Sequence, residues 1–233
     1  VHPHRPRQDD DPRGVAAHAR RPGRLPRHPS SKGVRAGEPL VLTGWQSDLL
    51  DNLFERRADG LLRYRRSLIG LARKNGKSLL GSLIALYNLI EGEPGAEVYS
   101  AAGDRQQARV VFNEAKWQIT QSPALSGVCK VYRDVIEVPS TGAIYRVLSS
   151  DAKLQQGLNP SAVIFDELHV QTRDSELWDA LTLGSGARKD PMIVAITTAG
   201  FDLDTICGRL YNYGKQVISG ERDDERLDRK STR

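Results

Sequence analysis

The sequence predicts an α/β protein: a three-layer sandwich in which helices cover both faces of a mostly parallel central sheet, with an inserted β-hairpin. Three observations predict it. Short apolar runs alternate with longer amphipathic ones across residues 38–220, the pattern of strands joined by crossover helices. The runs at 162–165 and 192–197 are almost wholly apolar, as strands covered on both faces must be. The 233 residues are 39% hydrophobic, enough for one buried core.

In chain order, residues 45–57 carry apolar side chains at 45, 49, 50, 53 and 54, a helical spacing. Residues 66–71 read as a short strand and 77–91 as a buried helix stopped by Gly92, Pro94 and Gly95. A second strand is expected at 97–101 and a second amphipathic helix at 104–121, ended by Pro123. Residues 128–138 and 143–149, separated by Pro139-Ser140-Thr141-Gly142, read as the hairpin. A buried strand at 162–165, a helix at 175–183, a strand at 192–197 and a helix at 204–218 complete the domain. No internal repeat is present.

Charge divides the chain. Residues 1–37 hold nine Lys and Arg against three Asp, a net of +6, whereas 38–233 carry a net of −1. The basic balance therefore belongs to a tail. With six prolines and few bulky apolar residues, that tail cannot bury enough surface to offset the entropy of ordering it. It reads as a disordered arm able to grip phosphate, or as what a GC-rich gene yields from a misplaced start. Residues 221–233 contain one apolar side chain and read as a charged linker or truncated end. The longest apolar stretch, 79–90, is interrupted by Gly81, Ser82 and Asn88 and falls well short of the roughly 20 residues a bilayer requires. No membrane span is expected. The first residues lack the apolar core of a secretory signal. Cys129 and Cys207 show no C-x-x-C pairing, which argues against disulfides and zinc and for a reducing, intracellular compartment.

Arg73-Lys74-Asn75-Gly76-Lys77-Ser78 lies between a predicted strand and a predicted helix, where backbone N–H groups and the helix dipole can cradle phosphates. In such a loop Lys77 reaches the β and γ phosphates and the Ser78 hydroxyl ligates magnesium. The full P-loop pattern wants glycine at position 71, where this chain has Leu71. A plain helix start with Ser78 in its first turn looks the same. A second element changes the balance. Ala162-Val163-Ile164-Phe165-Asp166-Glu167 is an apolar strand ending in two carboxylates. P-loop enzymes need an acid at the end of a neighbouring strand to hold magnesium, and one large branch has a second acid beside it to activate water. Asp166 fits the first role and Glu167 the second, giving a P-loop NTPase of the RecA/ASCE-like kind. The competing reading has both carboxylates capping the next helix. A third strand ends at Thr197-Thr198-Ala199-Gly200. Its hydroxyls suit sensing of a γ-phosphate at the sheet edge as well as they suit the β-propensity of threonine before a turn.

These motifs, in this order, resemble the ATPase half of the large subunit of tailed-phage terminases. The resemblance runs from about Leu40 to Gly220. It rests on Leu42-Thr43-Gly44-Trp45-Gln46, the lysine loop, Tyr99 through Ala108, Leu148-Ser149-Ser150-Asp151-Ala152 with Gly157-Leu158-Asn159-Pro160, Val163 through His169, and Thr197 through Gly200. The family commonly carries a deviant P-loop, which accommodates Leu71. The resemblance implies that Gln46 contacts adenine, with Trp45 a packing residue, and that Arg73 lies near the γ-phosphate. Lys77 and Glu167 keep catalytic roles. Lys74, Asn75 and Gly76 complete the nucleotide loop, and Ser78 and Asp166 hold the metal. Thr197, Thr198 and Gly200 fall in the motif coupling hydrolysis to DNA movement. His169 gives Asp-Glu-Leu-His, like the D-E-x-H box of some helicases, or is a surface histidine after a strand.

The implied activity is hydrolysis of ATP with Mg2+ to drive double-stranded DNA into a prohead. The implied partners are a portal protein, a small terminase subunit and further copies in a ring, pentameric in many relatives, with a monomer expected in isolation. The implied location is the cytoplasm of the bacterial host. Terminase large subunits continue into a metal-dependent nuclease, whose linker would begin near residue 220, so no nuclease activity is expected of this chain. Two alternatives stand beside this reading. An inactive prophage remnant would only bind nucleotide. A D-E-x-H helicase-like ATPase would need a second RecA-like domain, for which the residues after Gly220 leave no room. Deleting residues 1–37 is expected to leave the melting temperature unchanged, as measured by circular dichroism; a drop of more than a few degrees would mean that the arm packs on the domain.

Overall fold

Two strands without an exposed residue set the centre of the fold. These are β6 (Ala162–Asp166) and β7 (Met192–Thr197), and their side chains point alternately to opposite faces. Ile164, Val194 and Ile196 enter one core cluster, while Val163, Phe165, Ile193 and Ala195 enter a second. The computed structural model describes residues 40–149, 157–170, 176–198 and 204–222. The arginine-rich arm 1–37, residues 223–233 of the charged end, Ser150 to Ala152, and Ala199 and Gly200 lie outside the described residues.

The first cluster is closed by α1 (Gly44–Leu53), α2 (Lys77–Glu91) and α3 (Arg105–Gln121). The second is closed by α5 (Glu176–Gly184) and α6 (Ile206–Ser219), through Leu177, Leu181, Ile206 and Cys207. The three-layer arrangement follows. β1 (Arg66–Gly70), β2 (Glu97–Ala102) and β5 (Ala143–Ser149) join β6 and β7 through parallel pairs. β3 (Lys130–Val131) and β4 (Val135–Val138) add antiparallel pairs at one edge. The seven strands form one sheet in the order β1-β7-β6-β2-β5-β4-β3.

The structure departs from the sequence expectations in the backbone at three points. The helix expected over 45–57 ends at Leu53, and Arg56 forms a β-bridge with Leu62. Residues 128–138 are not one strand. The short helix α4 (Pro123–Val128) precedes the two-residue β3, and a turn at 132–134 leads into β4. Ser122 starts α4, its hydroxyl accepting from the Leu125 N–H. The hairpin is the β4–β5 pair, and through β5 it extends the edge of the sheet beside β2. The strand carrying the acids, β6, is also not next to the strand before the lysine loop, because β7 lies between them. Apolar patterning gives strand existence but not lateral order.

Both cysteines are buried. Burial pushes the Cys129 thiol up to about 11. It also raises that of Cys207, against a smaller opposing effect of its hydrogen bond with Thr197.

α2 approaches the sheet closely at Gly81. A Cβ there would lie 3.1 Å from Ile164 Cγ2 and 3.1 Å from Val111 Cγ1. Gly81→Leu is therefore expected to cost about 1–3 kcal/mol by overpacking, read as a lower urea midpoint. An unchanged midpoint would show that the layers yield freely at this contact.

Candidate nucleotide site

Parallel register brings three strand ends to one edge of the sheet. Gly70 pairs with Thr197, and Asp166 with Ile196. The chain leaves β1 through Leu71, whose N–H donates to the Thr197 carbonyl at 2.9 Å. Leu71 thus prolongs the β1–β7 ladder and packs against the core, a task glycine would perform less well. Glycine is needed later. Gly76 has φ 76° and stands at the N-cap of α2, where no side chain caps the helix. Lys74 has φ 69°. Alternating left-handed positions turn backbone N–H groups inward to form an anion nest, and the uncapped first turn of α2 adds its own donors and dipole. Arg73, Lys74 and Asn75 are exposed at the rim; Lys77 and Ser78 are half-buried in the first helical turn.

Gln46 is buried at the start of α1. Its Oε1 accepts from the Thr43 N–H at 3.0 Å, and its Nε2 lies 3.3 Å from where a Cβ on Gly76 would be. The helix cap therefore abuts the lysine loop. Trp45 does not pack as expected, being 42% exposed. The first turn of α1 lies outside the core, and its inward position is taken by Gln46.

Glu167 faces the loop. Its Oε1 is 3.3 Å from Lys77 Nζ, with the two side chains only 22% and 10% exposed. Its other oxygen accepts from Thr198 Oγ1 at 3.2 Å and lies 3.1 Å from His169 Nδ1. Thr197 Oγ1 donates to the Thr198 carbonyl, accepts from the His169 N–H at 3.2 Å and sits 2.9 Å from Nδ1. Which of Thr197 Oγ1 and Nδ1 donates depends on the imidazole tautomer. The reading of His169 as a surface residue is thereby corrected: a 3-10 turn, Leu168–Val170, folds the imidazole back between Glu167 and Thr197. That turn, rather than the first turn of an α-helix, directly follows the two carboxylates; the expected helix is α5, which begins at Glu176.

Asp166 is 3% exposed. Its Oδ2 accepts from Gln107 Nε2 at 2.7 Å and its Oδ1 from the Glu167 N–H at 3.1 Å. Burial pushes its carboxyl above the usual range; the Gln107 hydrogen bond opposes this, the Glu167 charge adds to it, and Lys77 opposes it. A buried carboxylate whose charge is so disfavoured is stabilised by a cation brought against it. Among the described residues no group of three or more His, Cys, Asp and Glu side chains could hold a metal by itself. One acid and one hydroxyl, completed by phosphate oxygens and water, are the donors a nucleotide-bound Mg2+ takes. The residues present fit that ion.

Sequence reasoning did not single out Gln107 as a site residue. Asp104 three residues earlier caps α3 by accepting from the Gln107 N–H at 2.8 Å, which marks the first turn in the sequence but not the contact of the Gln107 side chain with Asp166.

A family model for the terminase large subunit, ATPase domain, matches residues 44–216. The chain is 29% identical over 182 residues to the terminase large subunit of Enterobacteria phage HK97, covering 75% of this chain and 35% of that protein. It is 28% identical over 149 residues to the terminase large subunit of Lactococcus phage p2, covering 61% and 27% respectively. The chain thus spans about a third of the length of these relatives. The crystal structure of the HK97 large terminase matches with a TM-score of 0.74 at 24% identity, over 93% of this chain and 42% of that one. The ADP complex of a large terminase from a thermophilic bacteriophage matches with a TM-score of 0.51 at 11% identity, over 67% and 39%. These structural likenesses carry the fold. The family match takes in everything from α1 to the greater part of α6, and with it every described residue of the site, so the chain belongs to the ATPase-domain family of phage terminase large subunits.

Proposed function

We propose that the chain hydrolyses Mg-ATP at the Lys77 loop and, within a packaging motor, couples hydrolysis to translocation of double-stranded DNA into a prohead. The observation that carries the reading is the apposition of Lys77 and Glu167 beside the buried Asp166. In the nucleotide complex, Lys77 turns from Glu167 to the β and γ phosphates, as a compact cation on a flexible stem can do. That motion frees Oε1 of Glu167, while Thr198 and His169 keep Oε2 fixed. The freed oxygen accepts the proton of the attacking water. Asp166 and Ser78 would hold the magnesium, which when bound would supply neutralisation of charge on the phosphates. Arg73, exposed at the rim, serves the γ-phosphate, and Lys74, Asn75 and Gly76 supply the cradle.

Gln46 serves the nucleotide base or the loop that binds it. Thr197, Thr198 and Gly200 are the coupling segment. The family relationship supports work on DNA with a portal, a small subunit and further copies in a ring, in the host cytoplasm. No described helix is long and apolar enough to cross a membrane.

Lys77→Ala is expected to weaken ATP binding at least about tenfold by titration calorimetry; wild-type affinity would remove the loop from the nucleotide site. The two acids are expected to separate. Asp166→Asn lowers both Mg-ATP affinity and turnover. Glu167→Gln keeps affinity while reducing turnover on the order of a hundredfold. Wild-type turnover in both variants would sink the catalytic assignment. Tight Mg-ATP binding without turnover in the unaltered chain would favour the inactive remnant.

A further inference from the structure

Beside Gln107 in sequence, α3 and the β3–β4 turn border a surface cavity of about 460 Å³ lined by Arg105, Gln106, Arg109, Arg133 and Asp134. Three guanidinium groups there share one carboxylate. Asp134 is paired with Arg109 and lies 3.6 Å from Arg105 and 4.0 Å from Arg133. Two positive charges are left over, in a region of sequence, 38–233, that is otherwise close to neutral. Arg109 Nε is buried without a hydrogen-bond partner, a donor that a bound acceptor would satisfy. The turn is held in place from α3, because Lys116 Nζ donates to the Tyr132 carbonyl at 2.9 Å.

We propose that this cluster binds the phosphate backbone of duplex DNA. Guanidinium forks match phosphate oxygens in geometry and charge. The forks stand on two separate elements, and the Arg105 and Arg133 side chains are 61% and 88% exposed. That spread suits a polyanion lying across the surface better than an enclosed small ion, and the cavity lining includes no left-handed loop and uncapped helix start like those at Lys74 and Gly76. The position also has a mechanical meaning. The first two turns of α3 carry Arg105 and Arg109 to the cavity and Gln107 onto Asp166. A backbone phosphate held by these arginines is gripped by the turns that hold the metal acid. The proposal rests on the reading of the chain as a DNA-translocating ATPase.

The test is anisotropy of a short fluorescent duplex titrated with the full chain over a salt series, for wild type and Arg105→Ala/Arg133→Ala. The double variant is expected to melt like wild type, to bind about tenfold more weakly, and to lower the slope of log affinity against log salt by about 2. Unchanged affinity and slope would overturn the proposal, as would absence of duplex binding by wild type. Competition by inorganic phosphate or ATP at low concentration would assign the cluster to a small phosphate instead. A changed sedimentation coefficient with unchanged duplex binding would assign it to contact between protein chains. ATP turnover without DNA, run alongside, keeps the two readings apart. Its absence with arginine-dependent duplex binding would remove the hydrolytic reading and leave this one standing.

Discussion

The register of β1, β7 and β6 is the constraint on which the site depends. It sets Gly70, Thr197 and Asp166 at nearly one level, so that a loop, a pair of hydroxyls and two acids emerge into the same crevice. A slip of one residue between β6 and β7 would turn Thr197 to the opposite face, away from His169. Packing on both sides opposes such a slip. β6 and β7 are buried throughout, and each face of the pair has its own helices to satisfy.

Among the described residues, the non-glycine positions with positive φ are Lys74 and Glu167. Each left-handed residue of this kind costs on the order of 1–2 kcal/mol. At Glu167 that cost is offset locally. Its N–H donates to the Ile196 carbonyl at 2.9 Å, and its carboxylate is held by Lys77, Thr198 and His169. The strain turns the carboxylate away from the direction a continuing strand would give it and towards the lysine loop. Under the proposed hydrolysis, preorganisation of this kind would spare the protein reorganisation at the moment of reaction.

Much of this was legible in the sequence, and what was not has identifiable causes. α2, β2, β6 and β7 were found to within a residue because their apolar runs are long and end at glycine, proline or carboxylates. The loop, Asp166, Glu167 and the threonines were singled out by their residue types at strand ends, and the register of β1, β7 and β6 brings those strand ends to one edge of the sheet. The division of 128–138 was missed because Val128, Cys129, Val131, Val135, Ile136 and Val138 continue the apolar signal through the turn, and Arg133-Asp134 is a weak breaker. Trp45 was assigned to packing by the family resemblance, yet at this helix start the inward position goes to Gln46, whose side chain accepts from the Thr43 N–H. Gln107 and His169 depend on contacts between residues 59 and 28 positions apart, which no local pattern encodes.

The two cysteines have a practical consequence. Cys129 and Cys207 make up the whole thiol content of the chain, both are buried, and burial disfavours the thiolate in each. The thiolate is the form that attacks maleimides and iodoacetamides. The native protein is therefore close to silent towards such reagents, and a single cysteine introduced on its surface can carry a fluorophore or spin label without prior removal of the natural pair.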